Sequence, residues 1–516
     1  MRYYLGVDNG GTSTKAALYD VRGRELCSAS RDTAVLTPAP DCFERDMEEM
    51  WEANCAVIRE TVTGSGVDPA DIAGIAVCGH GKGLYPWGRD GRPARKGILS
   101  TDNRAYAYVD RWRKDGTEER AFALSCQHIM ACQPVALLPW LRDHEPEVIP
   151  GIRWAFGCKD YVRFRLTGEA RGELTDCSGA GTVNLHSRQV DPELLALFGL
   201  EDLAAVFPPL CRSDEIAGYV TREAAERCGL REGTPVLGGM FDIDACALAA
   251  GVLDERHVCM IAGTWSINEY LRRSPVTDGR AAMNSLFCLP EYYLIEESSP
   301  TSAGNGEWFI RTLLPEAKAA AEAAGESVYA LLDRWVRETG PEGFVPLFLP
   351  FLMGSNAHPN ARGAFVGLSA DQGRDLLARS VYEGVVYCHK VHLDKLLATK
   401  EDPPDCIRLA GGAARSEVWA QMFADILGLP VERLEARETG TLGCAIAAAA
   451  GTGAYPDLAS AARAMSPIGG RFEPDPAAGY HYARRYALYR KLVDCLDPLW
   501  GDMQKVIEEG SSLQGI

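Results

Sequence analysis

The sequence has no CxxC pair, no HExxH motif and no apolar run approaching the length of a membrane span. The first two absences remove the usual spacings of structural and catalytic zinc sites. Seventeen cysteines are present all the same, mostly in apolar surroundings such as IAVCG at 75–79 and DACALAAG at 244–251. They read as buried, reduced thiols rather than as a disulfide framework. Positive charge is also short: 53 Lys and Arg face 71 Asp and Glu, a net charge of −18. That balance excludes nucleic acid as a general partner, because phosphate backbones need basic surface. Among nine histidines, His389 and His392 form one close pair, in HKVH, with no metal-ligand spacing alongside. They are expected on a helix surface. The first residues show no charged-then-apolar leader, so the expectation is a cytoplasmic protein with no membrane partner. A homodimer is left open.

What is present concentrates near the start. GVDNGGTSTKAALYD at 6–20 places an acid, two glycines, three hydroxyls and a lysine within eight positions. Tyr3, Tyr4, Leu5 and Val7 predict a short buried strand, and 15–19 a second, with Gly10-Gly11 as the turn. A plain hairpin needs only the glycines. Thr12, Ser13, Thr14 and Lys15 behind them add hydroxyl donors and a positive charge, and Gly11 lets backbone N–H groups approach an anion. Asp8, at the strand end, suits the cation that accompanies such an anion. The inventory is that of a Mg²⁺-nucleotide phosphate tail, although the spacing is not GxxxxGK[ST]. An oxidoreductase is disfavoured, since a dinucleotide loop opens a helix and DNGGTSTK opens a strand.

With 516 residues the chain has room for two or more domains. Residues 25–30 suit a third strand. Asp46 then precedes Met47, Met50, Trp51, Val57 and Ile58, which share one helical face, with Glu49 in capping position. IAGIAVC at 72–78 is a buried strand running into Gly79-His80-Gly81-Lys82-Gly83. A comparable order returns later: strand 257–262, the turn Gly263-Thr264-Trp265-Ser266 and a returning strand 267–271. A helix at 376–397, a strand 407–410 entering Gly411-Gly412, a helix from Ser416 and a helical run 442–450 follow, while 317–324 reads as a surface helix. The junction is expected near GVLDERH, giving domains 1–250 and 251–516. Two related domains facing one another would bring both glycine-hydroxyl turns to a shared cleft.

Six segments in this order resemble the FGGY family of carbohydrate kinases: DNGGTSTK at 8–15, STDNRA at 100–105, GGMFD at 238–242, GTWS at 263–266, GGAARS at 411–416 and ETGTLGCA at 438–445. Within the family, SPTSAGNGEWF at 299–309 and ILSTDNRA at 98–105 are most similar to bacterial L-xylulose (3-keto-L-gulonate) kinases. The resemblance implies an α/β fold of two actin/hexokinase/Hsp70-like (RNase H-like) domains, with mixed sheets flanking a central cleft. It implies ATP and Mg²⁺ as cofactors and a small sugar as acceptor, a ketopentose such as L- or D-xylulose. Kinases of glycerol, erythritol, ribulose or gluconate share the pattern, and a chaperone-like ATPase shares the fold. Some positions depart from the family. Leu137 stands where a lysine is usual, Leu376 where a polar residue is usual, Ser100 replaces a tryptophan, and Gly81-Lys82 replace Met-His of xylulose kinases.

Phosphoryl transfer to a sugar hydroxyl needs charge neutralisation, in-line positioning and a proton acceptor. Asp242 is the candidate base: it follows Gly238-Gly239 at a strand end and matches the family's base by position, with Asp244 as its nearest competitor. Asp8 is assigned to Mg²⁺. Gly11, Thr12, Ser13, Thr14 and Lys15 are assigned to phosphates, with Gly263 and Thr264 from the second half. Gly411, Gly412, Ala413 and Ser416 suit the adenosine, and His80, Gly81, Lys82, Asp102, Arg104 and Asp242 the sugar.

Overall fold

Alternating apolar residues at the start of the chain form an antiparallel hairpin, Tyr3–Asn9 against Ser13–Asp20, with Asp8 opposite Lys15. The computed structural model describes residues 2–263, 265–356, 358 and 360–513. These residues form two units. The first holds the chain up to Asp254 together with Leu271–Ile295 and Glu438–Pro467; the second holds Glu255–Tyr270, Glu296–Arg437 and the chain from Ile468 onward.

The first unit is built on a seven-stranded mixed sheet. Glu25–Asp32 extends the hairpin in antiparallel fashion, while Ile72–Gly79 joins Tyr3–Asn9 in parallel on the other side. Pro235–Leu237 and Met240–Phe241 both pair in parallel with Ile72–Gly79. Side chains alternate across a strand, so Leu5 and Val7 face one way and Gly6 the other. On the Leu5 face lies the helix Met47–Ser65, capped by Asp46, whose carboxylate accepts from the Glu48 and Glu49 N–H groups. Met47, Met50, Trp51, Val57 and Ile58 of that helix are buried there. On the Gly6 face lies the helix Thr439–Gly451, so close that a Cβ at residue 6 would overlap the Thr441 carbonyl. A split into 1–250 and 251–516 puts this helix in the second half of the chain. In space it belongs to the first unit, because a two-faced sheet needs cover on both sides.

In the second unit His257–Ala262 pairs antiparallel with Ser266–Arg272 and parallel with Cys406–Ala410, followed by Val431–Leu434 and the antiparallel Ile468–Phe472. Its longest buried helix is Arg374–Leu397. Here the sequence expectation for His389 and His392 fails: both are buried, at 0% and 1% exposure. The helix is wrapped on several sides, by Val328–Thr339, Glu417–Leu427 and the strand Leu347–Leu349 among others. A helix so enclosed keeps little solvent face beyond Arg374 and Lys395, and its buried polar residues must be hydrogen-bonded inside. The alanine-rich helix Pro315–Ala323 keeps only Ala317 and Ala321 buried, as a surface helix should.

Candidate active site

Three parallel strands of the first unit end side by side. Asp8 pairs with Cys78 across the first two, and Met240 and Phe241 pair with Cys78 and Gly79 across the next. Asp8, the loop after Gly79 and Asp242 therefore share the carboxyl edge of one sheet, where open α/β sheets hold their ligands.

The Asp8 carboxyl is pushed above its ordinary range by burial, against the pull of the Lys15 ammonium. Its Oδ1 is buried and accepts no hydrogen bond from the described residues. Gly440 leaves it room, since a Cβ there would stand 2.6 Å from Asp8 Oδ2. Lys15 donates to Glu438 at 2.7 Å. At the hairpin tip Gly11 and Thr12 are exposed and Ser13 is half-buried, whereas Thr14 is buried and donates to Asn9 Oδ1 at 2.9 Å. Asn9 in turn exchanges amide hydrogen bonds with Asn54 on the covering helix. The buried Arg45 guanidinium donates to the Gly10 and Gly11 carbonyls and holds the tip from below. Four of the five phosphate candidates in this hairpin thus remain reachable, and Thr14 supports them.

An orphaned, hard carboxylate oxygen fits Mg²⁺. Among the described residues no group of three or more His, Cys, Asp or Glu could hold a metal ion. A single protein carboxylate suits Mg²⁺, which keeps several waters and takes substrate phosphates as ligands.

Asp242 opens the helix Asp242–Ala249 directly after Met240–Phe241. Gly239 makes that approach possible: its φ is +71°, and a Cβ would overlap the Val77 carbonyl. Asp242 keeps some exposure, while Asp244 is 0% exposed. Only the former can meet a substrate. Burial, then the nearby Asp8 and Asp176 charges, hold the Asp242 carboxyl well above the ordinary range, and Lys82 opposes them.

His80, Gly81 and Lys82 follow the central strand of the three. His80 is buried, bonds Tyr85 Oη at 2.8 Å, and is held down to about 3 chiefly by burial, so its imidazole is neutral. Gly81 lies on the Phe241 ring, with no room for a Cβ. Lys82 adopts φ +63° and carries its ammonium 5.7 Å from the centre of that ring. Phe241 is thus a common floor for the base and this loop. Asp102 and Arg104 are turned to one another: the carboxylate accepts from Arg104 Nε and Nη2 at 2.9 Å and from the Phe43 N–H at 2.7 Å, and Arg104 also pairs with Glu44.

In the second unit Gly411 touches the other glycine turn. Its φ is +85°, and a Cβ would come within 2.7 Å of the Ala262 carbonyl and 3.0 Å of the Gly263 nitrogen. Thr264 lies outside the described residues. Ala413 is buried in the short turn Gly412–Arg415, and Ser416 caps the helix Glu417–Leu427 while donating to Asp333 at 2.7 Å. His389 bonds the Ser266 hydroxyl at 2.9 Å and the Ser302 hydroxyl at 2.8 Å, anchoring the end of the turn. Sequence reasoning missed Arg45, Asn54 and His389, which act on loops far away in the chain. Asn9 and Glu438 sat inside segments already singled out.

These strand ends lie in segments that match a described family. Residues 3–249 match the N-terminal domain, and residues 258–452 the C-terminal domain, of the FGGY family of carbohydrate kinases. The chain belongs to the FGGY family of carbohydrate kinases. It is a phosphotransferase that phosphorylates a sugar hydroxyl with ATP, on the two-domain α/β fold of FGGY kinases. It is 36% identical over 500 residues to a probable L-xylulose kinase of Pasteurella multocida (strain Pm70), covering 96% of this chain and 99% of that one. It is also 36% identical over 497 residues to the L-xylulose/3-keto-L-gulonate kinase of Escherichia coli (strain K12), covering 96% and 97%. The xylulose kinase of Rhodospirillum rubrum superposes with a TM-score of 0.81 at 29% identity, over 97% of this FGGY chain and all (100%) of the other. A ligand-bound xylulose kinase from Lactobacillus acidophilus gives 0.85 at 24% identity, over 98% and 100%, a likeness of fold. No helix among the described residues is long and apolar enough to cross a membrane.

Proposed function

We propose that this FGGY kinase phosphorylates a ketopentose, L-xylulose first of all, using Mg-ATP, with Asp242 as general base. The two kinases of 36% identity support the sugar. The observation that carries the chemistry is the shared strand edge, which puts Asp8, the His80–Lys82 loop and a partly exposed Asp242 together. Asp8 holds the cation, and the N–H groups and hydroxyls of Gly11, Thr12 and Ser13 hold phosphate oxygens. Lys15 adds charge once it leaves Glu438. Gly263 and Thr264 serve the phosphates, and Gly411, Gly412, Ala413 and Ser416 the adenosine. Mg²⁺, when bound, neutralises charge on the transferring phosphoryl group. Lys82 orients the sugar, His80 holds the loop from beneath through Tyr85, and Asp102 braces Arg104 behind them.

In the reaction the sugar oxygen forms a bond to the γ-phosphorus as the bond to the ADP oxygen breaks. The hydroxyl proton passes to an Asp242 carboxylate oxygen. A raised affinity for the proton makes Asp242 the stronger acceptor, provided the pH is high enough to leave it ionised. Lys82 adds a cation beside the acceptor sugar, which favours an acidic ketose such as 3-keto-L-gulonate as the second substrate to try.

The test is sugar-dependent ADP release across L-xylulose, D-xylulose, 3-keto-L-gulonate, ribulose, erythritol, gluconate and glycerol. Fastest turnover with L-xylulose is expected. ADP release that no sugar raises above the sugar-free rate, or a clear preference for glycerol or gluconate, overturns the proposal.

A further inference from the structure

Behind the candidate base lies a buried polar assembly that the transfer chemistry leaves unused. Glu173, Thr175 and Asp176 are 0%, 1% and 2% exposed. Glu173 caps the helix Leu174–Gly179, accepting from the Thr175 and Asp176 N–H groups at 3.0 and 3.3 Å and from the Ser213 hydroxyl at 2.8 Å. Lys159 places its ammonium 3.3 Å from the same carboxylate and 2.6 Å from Asp160. The Thr175 hydroxyl donates to Glu173 Oε2 at 2.8 Å. With its proton so committed, its oxygen is free to accept, and it accepts the Phe241 N–H at 3.0 Å. A chain of hydrogen bonds thus runs from an anchored carboxylate to the backbone atom one residue before Asp242. Links of this kind polarise and stiffen one another in a water-poor interior.

Phe241 also carries the floor of the neighbouring loop. Its ring lies against Gly81 and Gly179, with the Lys82 ammonium beyond it. A shift at this one peptide would move the base and the Gly81–Lys82 loop together. Displacement by about 1 Å in a reacting geometry costs on the order of 10²-fold in rate.

We propose that Thr175 is a positioning residue of the transfer reaction, its hydroxyl fixing the Phe241 peptide and through it the carboxyl of Asp242. The proposal rests on the reading of Asp242 as base. Valine at 175 keeps the shape and removes the hydroxyl, leaving a buried N–H without its acceptor. Serine keeps the hydroxyl.

The experiment measures kcat and KM for both substrates in wild type, Thr175→Val, Thr175→Ser, Asp242→Asn and the Val/Asn double variant, using the sugar on which wild type is most active. Thermal unfolding checks each fold. Thr175→Val should lose roughly 10- to 100-fold in kcat with KM for ATP unchanged, and Thr175→Ser should recover to within about threefold. In the Asp242→Asn background the valine should have little further effect, since one residue acts through the other. A folded Thr175→Val variant with wild-type kcat, beside an inactive Asp242→Asn, overturns the positioning role and leaves the base in place. Wild-type activity in Asp242→Asn overturns the base itself. Should valine not fold, Thr175→Ala replaces it in the same comparison. Losses that add fully in the double variant, or a kcat loss matched by weaker ATP binding, mark a merely structural residue.

Discussion

In the first unit a hairpin, Tyr3–Asn9 with Ser13–Asp20, stands beside the parallel strand Ile72–Gly79. In the second unit His257–Ala262 with Ser266–Arg272 stands beside the parallel strand Cys406–Ala410. Each hairpin turns through a glycine, and each parallel strand runs into a glycine-rich loop. The frames match, but their contents do not. The first unit gathers carboxyls, and burial pushes those of Asp8, Asp176, Asp242 and Asp244 upward. The second unit places Gly411, Gly412 and Ala413 at the corresponding strand end. Its deeply buried Glu383 is matched by two arginines, Arg379 and Arg485. Its burial-raised Asp333 and Asp425 carboxyls accept hydrogen bonds, the first from Ser416 and Tyr382, the second from Gln421 and the Asp475 N–H. Buried charge that is only partly matched is expensive and tends to mark a working site, whereas fully matched charge serves structure. On this account proton transfer and cation handling belong to the first unit, and the close-fitting grip on a nucleoside to the second.

The strongest way to break this division is Asp242→Asn. It should lower kcat by roughly 10²- to 10⁴-fold, the usual scale of general-base catalysis. In wild type, kcat/KM should fall on acidification, with its midpoint above the ordinary carboxylate range because burial and Asp8 raise the Asp242 carboxyl. A midpoint near 4 would detach the profile from this residue. Asp8→Asn comes next. Removing the oxygen assigned to the cation should lower kcat by roughly 10²- to 10³-fold, partly recoverable by raising Mg²⁺, and a Mg²⁺ titration of activity reads this directly.

The smallest effect concerns stability. Burial, partly offset by Lys159, pushes the Asp176 carboxyl up to about 8, whereas the unfolded chain titrates near 4. Between these values the folded protein binds more protons than the unfolded one. Stability from this group is therefore present below the unfolded value and lost as pH rises toward 8. Asp176→Asn should raise Tm at pH 8 by about 2–4 °C, with a shrinking gain toward pH 5. Scanning calorimetry at the two pH values checks the sign.

Much of the frame was legible in the sequence because it is local. The hairpin at 3–20, the Asp46 cap and the strands 72–78 and 407–410 announce themselves by alternation, glycine and capping residues. The candidate site was legible in part for the same reason, since Asp8, Asp242 and Gly411 end strands. What stayed hidden depends on non-local packing. Nothing in HKVH says that its helix is wrapped on several sides, with His389 bonding Ser266 and Ser302. Nor does the spacing between Lys15 and Glu438 foretell their ion pair, which arises because Thr439–Gly451 covers the first sheet. Asp102 and Arg104, read as sugar ligands, satisfy one another two residues apart.

The most direct test of the division is nucleotide binding measured by titration calorimetry on two variants side by side. Asp242→Asn should bind ATP with wild-type affinity despite its lost turnover. Gly411→Val should bind it about tenfold or more weakly, because a side chain at φ +85° would press on the Ala262–Gly263 backbone. The reverse pattern, with ATP affinity lost in Asp242→Asn and intact in a folded Gly411→Val, would contradict the account.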